Sequence, residues 1–274
     1  MTRSDLDLVR RWIAARIRLT LRSPRALLFT FAFPALILLL FGSLNSGANV
    51  AAPGSGGGDV AFVQFYAPAL ATFALCTACY TTLVIAVAYA REAGLLKRVR
   101  GTPLPMVTYL SSWLVGAALT GIAAVVLMLV VAVAVLDLHV YARMLPAAAV
   151  TIGLGAATMA ALGLAVSSVV RTADQATPVA QLTFLPLTFI SGIWWPLAGA
   201  PSWLSTIANV FPLAHLADAL GGCFAPQTTG GGWAPGDLAV LAAWGAAGLL
   251  VAARRFRIEA DPAIRTRAGS ARTA

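Results

Sequence analysis

The stretch R-E-A-G-L-L-K-R-V-R-G-T-P-L-P, Arg91 to Pro105, decides how the chain is read. It is short, basic and amphipathic, and it lies between two long apolar runs. Leu95, Leu96 and Val99 fall together as an apolar ridge, with Arg91, Lys97, Arg98 and Arg100 around it. An apolar knob inside a charged rim suits a groove on another protein. Glu92 stands near the N-terminus of the expected helix, where the helix dipole favours a carboxylate. Gly94 punctuates the segment, and a short amphipathic helix over about 91–102 is expected.

What flanks this stretch is apolar on a scale that soluble proteins do not reach. Of 274 residues, 59% are hydrophobic and 11% charged, and the mean hydropathy is +0.84. About a quarter of a soluble domain is charged. Six apolar runs follow from the spacing: 26–44, 62–89, 107–136, 145–170, 177–193 and 233–253. Each can cross a ~30 Å hydrocarbon core at ~1.5 Å per residue, the fifth by a narrow margin. The fold class expected is an all-α integral membrane protein with six transmembrane helices. Pro34 and Pro186 lie inside runs and predict kinks. Gly153, Gly155, Gly163 and Ser167 in the fourth run predict close helix packing.

The basic residues orient the chain. Seven precede the first run, four lie in the second connection, one in the fourth and six in the tail; only Arg143 falls on the other side. By the positive-inside rule both termini and the Arg91 segment are cytoplasmic. The net charge of +9 therefore lines a membrane face with anionic headgroups, and no compact module for nucleic acid remains. Residues 5–22 place Leu6, Val9, Ile13, Ile17 and Leu21 opposite Arg11, Arg18 and Arg22, the pattern of an interfacial helix. A cleaved signal peptide fits less well, because the basic leader is long and the apolar run exceeds the usual length. The domain plan is an interfacial helix over 1–25, a membrane domain over 26–253 and a basic cytoplasmic tail over 254–274.

The last external connection, about 194–232, is apolar and has no basic residue. Trp194, Trp195, Pro196, Trp203, Phe211 and Pro212 mark it as a headgroup-level segment. Trp203, Leu204, Ile207, Val210 and Phe211 share a helical face, so a pair of re-entrant or interfacial helices is expected. Asp218 within it reads as a solvated carboxylate at headgroup level.

Several chemistries are excluded. No G-x-x-x-x-G-K-[ST] occurs, so the chain does not cradle nucleotide phosphates in that manner. Neither H-E-x-x-H nor G-x-S-x-G occurs, and no ionisable residue stands in mid-span for a proton or sodium pathway. Cys76 and Cys79 form C-x-x-C inside an apolar run with no second ligand pair, whereas zinc takes about four ligands. They read as small buried residues. No metal or cofactor is expected on this chain, and any energy source must lie elsewhere.

Three features resemble the permease subunits of type-2 ABC exporters. They are the basic amphipathic leader, the run Arg91–Leu104 with its Glu92, Gly94 and Thr102-Pro103-Leu104, and the series Ser191-Gly192-Ile193-Trp194-Trp195-Pro196, Pro201-Ser202-Trp203-Leu204 and Pro212-Leu213. The layout is similar over nearly the whole chain and is nearest the daunorubicin-resistance type of drug-export permease. Leu95 stands where the family often has Thr, and Gly221 where an Arg is common. The resemblance implies a half-transporter that pairs with a second permease, a copy or a paralogue, and with a cytoplasmic ABC ATPase dimer that binds ATP and magnesium. The resemblance also implies that the helix over about 91–102 is a coupling helix, and Arg91, Glu92, Gly94, Leu95, Leu96, Lys97, Arg98, Val99 and Arg100 would couple to that ATPase. Trp194, Trp195, Pro196, Trp203, Phe211 and Pro212 would border the substrate exit. The substrate implied is hydrophobic or amphipathic, exported across a bacterial inner membrane. A polysaccharide or glycolipid exporter, and a scaffold or sensor that moves nothing, stay open as alternatives.

Overall fold

The computed structural model describes residues 28–51, 59–101, 106–197, 201–226 and 230–260, with Arg18, Arg22 and Thr228 besides. The expected interfacial helix, residues 102–105 and the tail beyond residue 260 lie outside the described residues.

The chain is a bundle of helices. A π-helical turn, Leu28–Ala32, runs without a break into α1, Phe33–Leu44, so Pro34 lies inside a continuous helical stretch, directly after its irregular turn. Proline has no N–H to give to the preceding turn, so one carbonyl of that turn goes without its usual partner where the helix changes from π to α. A two-stranded antiparallel hairpin follows, β1 (Asn49–Ala51) with β2 (Asp59–Ala61), in the register Val50↔Val60. The all-α expectation did not include it: three-residue strands are too short to show a period of two.

The second apolar run forms α2, Phe62–Cys76, a π-helical turn Thr77–Thr81, and α3, Thr82–Glu92. Next come α4 (Leu95–Arg100), α5 (Met106–Leu136), α6 (Leu145–Ser167) and α7 (Ala173–Ile190). Two short helices, α8 (Ser202–Ala208) and α9 (Pro212–Gly222), occupy the last connection before α10, Pro235–Ala260. Four helices among the described residues are long and apolar enough to cross a membrane: Phe62–Glu92, Thr108–Leu136, Ala142–Ser167 and Pro235–Phe256. The first run, Thr30–Leu44, is shorter. In α7 Asp174, Gln175 and Gln181 dilute an apolar run interrupted by Pro178 and Pro186.

Burial ranks these helices. The Phe62–Glu92 helix is 78% buried over its most apolar window, against 28% for α5 and 17% for α10. It is the axis of the bundle, and the others present Leu and Val outward, as a lipid-facing surface requires. Two glycines let its π-helical turn sit deep. A Cβ on Gly163 of α6 would stand 3.0 Å from the Tyr80 carbonyl oxygen and 3.1 Å from that of Cys79. One on Gly121 of α5 would collide with the Cys79 Sγ. Small residues at such crossings let backbones approach, the main source of helix association in lipid. Gly155 similarly admits Leu216 of α9, while Gly153 faces open space, so only part of the glycine stripe serves packing. Cys76 and Cys79 are wholly buried free thiols.

Candidate functional site

The arginine-bearing end of the bundle is organised by Gly94. It adopts φ +71°, where a Cβ would be strained, and it breaks the chain between α3 and α4. The expected helix over 91–102 is therefore divided. Arg91 and Glu92 are the last residues of α3, and only Leu95–Arg100 forms the short helix. Val99 is 6% exposed and joins the chain's own core, so it does not form part of an exposed apolar ridge; among the side chains described on α4, Arg98 is exposed and Leu95 half-buried. The side chains of Leu96, Lys97 and Arg100 lie outside what the structure describes.

Glu92 does not serve the N-terminus of α4, as its position in sequence suggests. Its Oε2 accepts a 2.7 Å hydrogen bond from the backbone N–H of Ala173, the first residue of α7. Arg91 reaches the preceding helix. Its Nη1 donates to the carbonyl of Ser167, at 3.0 Å, and to that of Val170, at and just past the end of α6. Its guanidinium also lies 5.5 Å from the ring centroid of Phe256 in α10. Each charge thus meets the helix terminus of opposite partial charge: a cation on orphan carbonyls and an anion on an orphan N–H. Two adjacent residues bracket the turn from Ser168 to Thr172, tying α3 to α6, α7 and α10.

Higher in the bundle is a cavity of about 640 Å³ that the sequence reading did not foresee. Both π-helical turns reach it, through Thr30 and through Thr77 and Thr81, with Phe33 of α1, Phe73 of α2, and Gln181 and Phe184 of α7. π-helical turns often occur at functional sites. Among the described residues, five threonines line it and no charged residue does. The Oγ1 of Thr81 is buried and has no hydrogen-bond partner. Thr77 and Thr81, four residues apart, were the available sequence signal; the π-helical turn itself had none. The Tyr80 hydroxyl lies 2.6 Å from Thr183 Oγ1, and Phe73 stacks on Phe184 at 5.7 Å, joining the Phe62–Glu92 helix to α7.

Aromatic contacts continue toward the other end. Trp194 meets Phe73 edge-on at 5.2 Å, and its Nε1 donates to Thr188 Oγ1 at 3.1 Å. Phe189 lies 6.0 Å from Trp194 and 5.8 Å from Trp195. Trp203 of α8 is exposed, Pro196 is half-buried, Phe211 packs on Trp244, and Pro212 opens α9. The structure thus gathers Trp194 and Trp195 and leaves Trp203 and Phe211 apart from them.

Beside these, His215 Nδ1 lies 2.7 Å from Asp237 Oδ1 and its Nε2 2.9 Å from the Asn209 carbonyl, joining α9 to α10. Burial alone would lower the His215 pKa; the bonds to Asp237 and Asn209 outweigh it and raise it above 6.5. Asp218 is not the solvated carboxylate expected. It lines a narrow pocket with Val60, Gln64 and Phe65, and burial, with the nearby Asp237 charge, pushes its pKa up to about 6 against the pull of His215. Gln64 closes this end by donating to the carbonyls of His139, at 2.6 Å, and Phe224, at 2.8 Å.

A bundle with several membrane-length helices, a short basic helix at one end and an uncharged cavity is the architecture of a membrane permease. The model of the ABC-2 type transporter family matches residues 8–224, and the chain belongs to that family. No curated protein matches it at a significant level. Membership makes the chain a multi-pass membrane component of an ABC transporter, the permease part and not the ATPase, and implies association with an ABC ATPase.

Proposed function

We propose that the chain is the permease of an ATP-driven exporter that moves an uncharged, aromatic or amphipathic molecule outward through the cavity between α1, the α2–α3 helix and α7. The observation that carries this is the cavity's composition. At about 640 Å³ it lies in the range of sites that hold drug-sized ligands. Three phenylalanines supply flat apolar walls, and the unpartnered Thr81 hydroxyl supplies a hydrogen bond that a ligand would complete.

In this reading six spans cross a bacterial inner membrane, α1 and α7 included, with both termini cytoplasmic, as the distribution of arginine favours. The α8–α9 pair is external and re-entrant, and the Trp194–Trp195 cluster borders the exit. Two permeases, identical or paralogous, meet two ATPase subunits, which bind ATP and magnesium and engage α4. Drug export of the daunorubicin-resistance kind is the activity that fits best.

The test is ATP-driven uptake of a neutral lipophilic fluorophore into inside-out vesicles holding the chain and its ATPase. Thr81→Val is expected to lower uptake about tenfold, as loss of one specifying hydrogen bond does, with little change in complex yield. Equal transport by Thr81→Val and by Phe73→Ala would overturn the site. Transport of a lipid-linked glycan and not of the fluorophore would overturn the substrate class.

A further inference from the structure

We infer that Arg91 and Glu92 are the joint through which displacement of α4 moves α7, one wall of the cavity, relative to α1. This rests on the permease reading above. Glu92 holds the first N–H of α7 at 2.7 Å and Arg91 holds the Ser167 carbonyl at 3.0 Å, so the turn joining α6 to α7 is fixed to the end of α3. Only Ala93 and Gly94 separate that end from α4. Two residues give little slack, so a push on α4 reaches Glu92 before it is absorbed. Higher up, the Tyr80–Thr183 contact and the Phe73–Phe184 stack keep α7 against the same long helix. Across the cavity, Thr30 and Phe33 belong to the α1 segment, which packs on α2 and α5 and stands outside the bracket. Moving the bracketed helices against α1 therefore changes the width of the cavity. Both residues are positioning residues: they hold helix termini and touch no substrate.

The test uses the full chain with its ATPase in liposomes, spin-labelled at Gly101→Cys at the end of α4 and Leu182→Cys on α7. Both sites are exposed, whereas the native cysteines are at most 2% exposed and stay unlabelled. With the wild-type bracket the inter-label distance is expected to be the same with and without vanadate-trapped nucleotide, while a Leu36→Cys to Leu182→Cys pair across the cavity shifts. In Glu92→Ala the first distance is expected to move on trapping and the transport-to-hydrolysis ratio to fall about tenfold, with complex yield unchanged. Glu92→Gln keeps an acceptor for the Ala173 N–H and is expected to restore most of the ratio. Independently of any ATPase, Glu92→Ala is expected to speed amide exchange at residues 173–176 in the isolated chain. Unchanged exchange, an unchanged ratio, or loss of the complex in Glu92→Ala would overturn the joint, the last by making Glu92 a docking residue. A wild-type complex in which no distance responds to nucleotide would remove the transporter reading along with it.

Discussion

The two ends of the bundle both tie helices together with charged side chains, but they do so on different terms. At the arginine-bearing end, Arg91 meets carbonyls and Glu92 meets an N–H, so each charge faces a helix terminus of opposite sign. At the other end the His215 imidazole is held by Asp237 and by the Asn209 carbonyl, while a second carboxylate, Asp218, sits nearby in a largely apolar pocket. The first end is thus tied at two helix termini. The second carries a charge that the fold does not fully compensate, and it sits among the short helices beside the aromatic cluster.

The largest expected effect breaks the first end. Arg91→Ala removes the donor for two carbonyls and the Phe256 contact together, and is expected to cost about 3 kcal/mol, read as a lower Tm in detergent. Arg91→Lys keeps the charge without the planar fork, so it recovers only part.

Asp218→Asn acts at the other end with the opposite sign. The Asp218 carboxyl, raised from 3.8 to about 6, holds its proton more tightly in the folded chain than in the unfolded one. Its contribution is thus present below pH 3.8 and lost as pH rises through about 6. The neutral amide avoids that loss, so the variant is expected to gain about 2 kcal/mol over wild type at neutral pH and nothing in strong acid. A pH series of Tm values checks this, and a loss at neutral pH would mean that the carboxylate has a cationic partner.

Asp237→Asn weakens the clasp between α9 and α10 and is expected to cost about 1 kcal/mol. Because the His215 pKa is raised, the clasp's charged form is fully present below pH 6.5 and fades as pH rises through the folded value, so the difference from wild type shrinks in alkali. The smallest effect is Trp244→Phe. It removes only the hydrogen bond to the Val210 carbonyl, 3.0 Å long, and is expected to cost about 0.5–1 kcal/mol with the ring stack on Phe211 retained.

Much of the fold was legible in the sequence because lipid leaves a backbone few choices. The long apolar runs became helices close to their expected limits, and Gly163 became a crossing point. The site was less legible. Arg91 and Glu92 were singled out as charges on a docking helix, but their partners lie about eighty positions away in the turn after α6, and a local pattern cannot report that. Gly94 was the local clue: a helix break there puts Glu92 on the preceding helix. The cavity went unseen because a π-helical turn leaves no mark in residue order, although the threonines at 77, 81 and 177 all face it. Asp218 was misread because its neighbours in sequence suggest a surface, while Gln64 and Phe65, distant in sequence, enclose it.

On the proposed permease reading the two ends of the bundle have different partners, with the ATPase at α4. A photo-crosslinking amino acid at Arg98, exposed on α4, tests it against one at Trp233, exposed at the opposite end, in the assembled complex. A crosslink to the ATPase is expected from position 98 and none from position 233. A crosslink from position 233 with none from position 98 would contradict it.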